Sequence, residues 1–245
     1  MIELCNFSKS YDKNSFAVKN INLKAEKGKI TGLLGLNGAG KTTVIKAVCG
    51  NHFATSGKIF VTDKENTLVD SEKDIEKLKI NTGYLPEALN FPQKLTVEEY
   101  LLLLKKQFDV TPENYLKTLN LCGLTEVKSK KISNLSKGYK QRLGFAQALI
   151  HNPENLILDE PINGLDPAQI IQMRSLIKEI SKDKTILIST HLMQEVVALC
   201  DKIYILNKGA IAAEGSVEEI LSKSSSKNIE EAFLKITGSD YDKIS

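Results

Sequence analysis

A turn that carries Gly35, Gly40, Lys41 and Thr42 in the pattern G-x-x-x-x-G-K-[ST] constrains this chain more than any other feature. The apolar run KITGLLG before it predicts a buried strand ending in glycine, and KTTVIKAVCG after it predicts a helix. Between such elements the loop GLNGAGKTT is a phosphate cradle. Its glycines let backbone N–H groups wrap close to phosphate oxygens, and the helix N-terminus adds a favourable dipole. Lys41 is expected at the β- and γ-phosphates, and the Thr42 hydroxyl on Mg²⁺. A glycine-rich turn that binds nothing is the competing reading. The length of the match and its strand–turn–helix setting weigh against it.

The rest of the chain alternates in the same manner. MIELCNF, INLKAEKG and GKIFVTD read as strands or strand edges, and residues 88–152 turn helical, with apolar positions three and four apart in LTVEEYLLLLKKQF, PENYLKTLNLCGL and SKGYKQRLGFAQALIHN. Then follow a strand (NLILDEP), a helix (PAQIIQMRSLIKEIS), a strand (KTILIST), a helix (HLMQEVVALC) and a closing hairpin (KIYILNKG with AIAAEG). This order predicts a mostly parallel sheet covered on both faces. SKSSSKN, residues 222–228, reads as a hinge before a short helix, IEEAFLKIT.

LILDE, residues 156–160, ends a predicted strand in two acids. Asp159 is expected to hold Mg²⁺, and Glu160 to polarise an attacking water. Alone, such a pair is an ordinary solvated loop entry. The upstream cradle changes its meaning. His191, after ILIST, could touch the γ-phosphate, although a histidine there also serves as a helix cap or surface residue. Tyr11 could stack on a base or be an ordinary surface aromatic. His52 and His151 have no such setting and are assigned nothing.

Composition names no partner. The net charge of +3, from 33 basic and 30 acidic residues without a Lys/Arg block, argues against nucleic acid. Four scattered cysteines in no metal-binding spacing read as reduced thiols of a cytosolic protein. No apolar run approaches the roughly 18 residues of a membrane span, and MIELCNFSKSY lacks a signal-peptide profile.

LSKGYKQRL, residues 135–143, poses a problem, because Ser136 is a good helix N-cap and Gly138 follows, which makes a second anion site with no obvious anion in its own chain. The order GLNGAGKTT, LSKGYKQR, LILDEP, NGLDP and STH resolves it. Over about residues 1–240 these motifs closely resemble the ATP-binding cassette (ABC) ATPases, whose signature LSGGQ is similar to LSKGY. The resemblance implies a P-loop, RecA-like α/β core with a mostly parallel sheet, an N-terminal antiparallel β subdomain and an inserted helical subdomain. The cassette is expected over 1–221, with core at 1–87 and 152–221, signature subdomain at 88–151, and a hinge and short helix at 222–245. The family's signature binds the γ-phosphate held by a second cassette's P-loop, which implies a dimer, here expected as a homodimer, enclosing two ATP molecules.

Carried over residue by residue, the resemblance implies that Tyr11 stacks on adenine with Val18 beside it, and that Asn37, Gly38, Ala39, Gly40, Lys41, Thr42 and Thr43 surround the phosphates. Ser136 and Gly138 contact the partner's nucleotide, and Asp166 of NGLDP faces the opposing site. Glu160 is the general base, His191 the switch histidine, and Lys41 the third catalytic group. Thr42, Asp159 and Glu87 are the expected Mg²⁺ ligands, with Glu87 standing where the family commonly has glutamine. Lys137 and Tyr139 also depart from the signature. Lys137 either brings a cation to the partner's ATP or points to solvent.

With no span of its own, the chain is expected to drive separate integral membrane permease subunits from the cytoplasmic face, docking them through EALNFPQKLTVEEYL. Its tail and the forms YLPE and LSKGYKQR look more like exporters of drugs, antibiotics or polysaccharides than importers. The rivals are an ABC ATPase acting on ribosomes or chromosomes, which would carry tandem cassettes or a coiled-coil insert, and a small-molecule P-loop kinase, which has no use for LSKGYKQR.

Overall fold

The computed structural model describes residues 1–12 and 15–238. Its first half runs β1 (Ile2–Ser10), β2 (Phe16–Ala25), β3 (Ile30–Leu34), α1 (Lys41–Val48), β4 (Ser56–Thr62), β5 (Leu68–Asp70), α2 (Ile75–Ile80), β6 (Thr82–Leu85), α3 (Val97–Gln107) and α4 (Pro112–Leu121). The second half runs α5 (Lys137–Leu149), β7 (Asn155–Asp159), α6 (Pro167–Ser181), β8 (Thr185–Thr190), α7 (Met193–Leu199), β9 (Lys202–Asn207), β10 (Ala210–Gly215), α8 (Val217–Ser224) and α9 (Ile229–Thr237).

A six-stranded sheet in the order β10-β9-β3-β8-β7-β6 forms the centre. All its neighbours are parallel except the β9–β10 hairpin. Strands β3, β7 and β8 are buried along their whole length, as both-face coverage requires. Their side chains alternate between two cores. Leu156, Leu158, Ile186 and Ile188 join the cluster of α3–α6, while Ile157 and Leu187 join the cluster of α1 and the N-terminal sheet. That second sheet, β2-β1-β4-β5, is antiparallel throughout.

Parallel strands put their carboxyl ends on one edge, where ligands of open α/β sheets bind. Here the chain leaves β3 into the glycine loop, β7 into Glu160, β8 into His191 and β6 into Glu87. Since these four strands are consecutive neighbours, segments far apart in sequence converge.

Local chemistry sets the element boundaries. Thr96 and Glu99 form a reciprocal capping box on α3, as do Ser216 and Glu219 on α8, and Asp166 followed by Pro167 starts α6. The expected hinge at 222–228 is corrected, because α8 runs through Ser224, and a division at 221 would cut that helix. Ile220 of α8 and Ile229 and Phe233 of α9 pack with Leu34, Val196 and Ile203, so the two helices are fastened to the sheet. Residues 239–245 of that expected segment lie outside the described residues.

Candidate functional site

The loop from Gly35 to Gly40 leads into α1 with Gly40 as N-cap at φ +111°, a conformation suited to glycine. A Cβ on Gly40 would stand 2.5 Å from Val18 Cγ1, so the loop lies directly on β2. Gly38 is also left-handed, at φ +81°, but a Cβ there would meet nothing within 4 Å. The loop is therefore anchored on one side and open on the other. A cleft of about 660 Å³ lies on the open side, lined by Ala17, Leu36, Asn37, Gly38, Gly40, Lys41, Thr42, Thr43, Glu87, Asp159 and Glu160.

Lys41 is buried, with its ammonium donating to the carbonyl of Gly35 at 2.6 Å and lying 3.7 Å from Glu160 Oε1. Burial lowers its pKa, and the carboxylates of Glu160, Asp159 and Glu87 oppose that shift. Asp159 is buried at the end of β7, opposite Ser189 of β8, whose hydroxyl donates to it. Burial raises the Asp159 pKa despite that bond. A cation brought to the cleft would remove part of this cost.

Glu160 follows with φ +49°, outside the usual range for a side-chain-bearing residue, and this turn aims its carboxylate back into the cleft. His191 Nδ1 lies 2.9 Å from its Oε1. Its Oε2 is buried with no hydrogen-bond partner. A buried carboxylate oxygen left open beside a phosphate cradle has a strong demand for a donor. His191 itself lies two residues before α7, not at its first turn as expected, and is partly exposed.

Tyr11 projects beside the cleft, 60% exposed, with its hydroxyl 3.5 Å from Thr43 Oγ1. The His52 ring stands edge-on to it at 5.5 Å. Val18 does not face the cleft. It is fully buried in the core between β2 and α1, and strand alternation turns the neighbouring Ala17 to the cleft in its place. Ala39 is buried too, its N–H donating to Leu36 and its carbonyl accepting from Gly209.

Ser136 and Gly138 line a different cleft of about 680 Å³, with Tyr139, Arg142, Leu165 and Gln169 among its walls. The two clefts have no lining residue in common. Ser136 Oγ caps α5 by accepting from Tyr139 N–H at 3.4 Å, and the first turn of α5 holds no acid. Asp166 caps α6 by accepting from Gln169 N–H at 2.9 Å. The Lys137 side chain is exposed, in line with the solvent alternative, and its Nζ lies close over Gly164 of the same chain. Sequence reasoning missed Ala17, Leu36 and Ser189. Ser189 was readable only through the register that sets it opposite Asp159.

Known proteins are similar to this chain in sequence and in fold. The family model described as ABC transporter matches residues 18–163. The bacitracin transport ATP-binding protein BcrA of Enterococcus faecalis is 40% identical over 226 residues, covering 90% of this chain and 70% of that protein. A solved structure described as the ATP-binding subunit of an ABC transporter superposes with a TM-score of 0.86 at 27% identity, over 97% of this chain and 99% of that one. A dimeric bacterial ABC transporter cassette has a TM-score of 0.76 at 25% identity, over 88% of this chain and 98% of that one.

Proposed function

Because the chain belongs to the ABC transporter family, as an ATP-binding subunit that hydrolyses ATP, we propose that its two clefts are the halves of ATP sites completed by a second copy. The observation that carries this reading is that the glycine loop and the Ser136 helix tip line two different clefts of the chain, with no lining residue in common. Two copies facing head to tail would set each Ser136 helix tip against the other's glycine loop, and twofold symmetry makes both sites equivalent.

In each site the backbone N–H groups at the start of α1 bind phosphate, and Lys41 leaves the Gly35 carbonyl to do the same. Asn37, Gly38, Ala39, Gly40, Thr42 and Thr43 complete the cradle, and Tyr11 stacks on the base. His191 holds Glu160 by one oxygen, and the buried free oxygen of Glu160 orients the attacking water and takes its proton. Thr42, Asp159 and Glu87 line the same cleft, and oxygen donors of this kind fit Mg²⁺. Among the described residues no three His, Cys, Asp or Glu gather into a cage, so phosphate oxygens would complete its coordination. When bound, the ion supplies charge neutralisation at the phosphates. Loss of the shared γ-phosphate removes what favours the closed pair, so turnover opens it.

The relative named for bacitracin transport supports export of an antibiotic-like cargo. No helix among the described residues is long and apolar enough to cross a membrane. The transport path belongs to separate integral permease subunits, to which this chain binds at the inner face of the cell membrane, a reading supported by the transport relatives. Residues 87–101, continued by the exposed Leu102 and Leu103, form the docking surface. Sedimentation of a Glu160→Gln chain tests the pairing. With Mg·ATP it should run as a dimer and with Mg·ADP as a monomer, and a monomer in both would overturn the proposal.

A further inference from the structure

Helix α5 begins at the Ser136 tip and runs beneath the loop that leaves Glu160. The Gln141 side chain, one turn into the helix, is buried, and its Nε2 donates to the carbonyl of Pro161 at 2.8 Å. Pro161 is the residue after Glu160. A buried amide making one directional bond to a buried carbonyl fixes that peptide, because either group left alone would lack its partner. Glu160 needs such support, since its φ of +49° persists only where neighbours over-determine it.

Three further contacts join the same helix turns to the same segment. Lys137 Nζ lies against Gly164, a Cβ on Gly138 would meet the Gln169 side chain at 2.6 to 2.9 Å, and Arg142 Nη2 donates to Gln172 Oε1 at 2.6 Å. The tip and the segment after Glu160 thus form one packed unit. Of these contacts, only the Gln141 bond reaches the residue adjacent to Glu160.

We propose that Gln141 is a positioning residue for hydrolysis: through Pro161 it sets the direction of the Glu160 carboxylate, and it ties that direction to the helix whose tip meets the partner's nucleotide. Occupancy of the tip and alignment of the base in the same chain then move together. This rests on the reading of Glu160 as the base. Gln141 touches no substrate and acts only through the backbone of its neighbour.

Steady-state hydrolysis by purified full-length chains tests the proposal. Gln141→Met keeps length and volume but lacks the donor, and Gln141→Glu sets an acceptor against the Pro161 carbonyl. A misplacement of about 1 Å at a reacting group costs on the order of 100-fold, so Gln141→Met should lower kcat by about 10- to 100-fold and Gln141→Glu by more, with KM for ATP within about twofold. Gln147→Met removes the bond that the same helix accepts from Tyr100 of α3 and should leave kcat within about twofold, which controls for loosened packing of α5. The double variant Glu160→Gln/Gln141→Met should be no slower than Glu160→Gln alone, since Gln141 has nothing left to position. Additive losses, or a rise in KM without a fall in kcat, would overturn the proposal. If Glu160→Gln hydrolyses at the wild-type rate, the base assignment itself has failed, an outcome distinct from an unaltered Gln141→Met beside a slow Glu160→Gln.

Discussion

Replacing Glu160 with glutamine should separate binding from chemistry in a direction the geometry fixes. The carboxylate lies 3.7 Å from Lys41 Nζ. At an effective dielectric of roughly 20 the gross attraction is about 4 kcal/mol. Asp159 and Glu87 also act on Lys41, and its bond to Gly35 remains, so we expect a net loss of about 1 to 2 kcal/mol in the nucleotide-free protein. Phosphate would then meet a lysine with one fewer competitor, and Mg·ATP affinity should rise by about 5- to 30-fold. Removal of the base should meanwhile slow turnover by about 10²- to 10⁴-fold, or roughly 3 to 5 kcal/mol in barrier. Equilibrium binding of a fluorescent ATP analogue, read beside phosphate release, measures both. A variant that binds more weakly than wild type, or turns over within about threefold of it, would refute the reasoning.

Three other perturbations follow from particular contacts. Gly40→Ala places a methyl 2.5 Å from Val18 Cγ1 at φ +111° and should cost about 3 kcal/mol, whereas Gly38→Ala meets nothing within 4 Å and should cost about 1 kcal/mol, both read by urea unfolding. Tyr11→Ala should raise KM for ATP by about 5- to 30-fold with kcat unchanged, while Tyr11→Phe keeps the ring and the affinity. Burial lowers the His151 pKa from 6.5 to about 4, so its proton prefers the unfolded chain. The associated stability, at most about 3 kcal/mol, is complete above pH 6.5 and is lost as pH falls towards 4. His151→Phe keeps the stack on Phe108, whose ring lies 4.7 Å away, and should flatten that part of the stability–pH curve.

Signals confined to a short stretch of chain were legible in the sequence. PAQIIQMRSLIKEIS spans α6 end to end, because Asp166, Pro167 and the apolar spacing all act locally. The three-residue β5 and the six-residue α2 were not anticipated, being too short for a period to show. Four serines at 222–226 suggested a hinge, yet the capping box of Ser216 and the burial of Ile220 carry α8 into them. Tertiary packing overrode local composition there. Within the site, the motifs placed Lys41, Asp159, Glu160 and Glu87 on one cleft. The choice of Ala17 over Val18 depends on which face of β2 meets α1, and the Gln141–Pro161 bond spans 20 residues. Neither relation has a sequence period to reveal it.

The central claim, that each nucleotide is gripped by two chains, is tested most directly by mixing two inactive variants. Lys41→Ala disables the glycine loop and keeps the Ser136 tip, while Ser136→Arg blocks the tip and keeps the loop. Each alone should be inactive. A mixed pair has one complete site, so equal amounts should recover about a quarter of the hydrolysis of the same quantity of wild type. A mixture as inactive as its separate components, under conditions where the two chains exchange, would contradict the account.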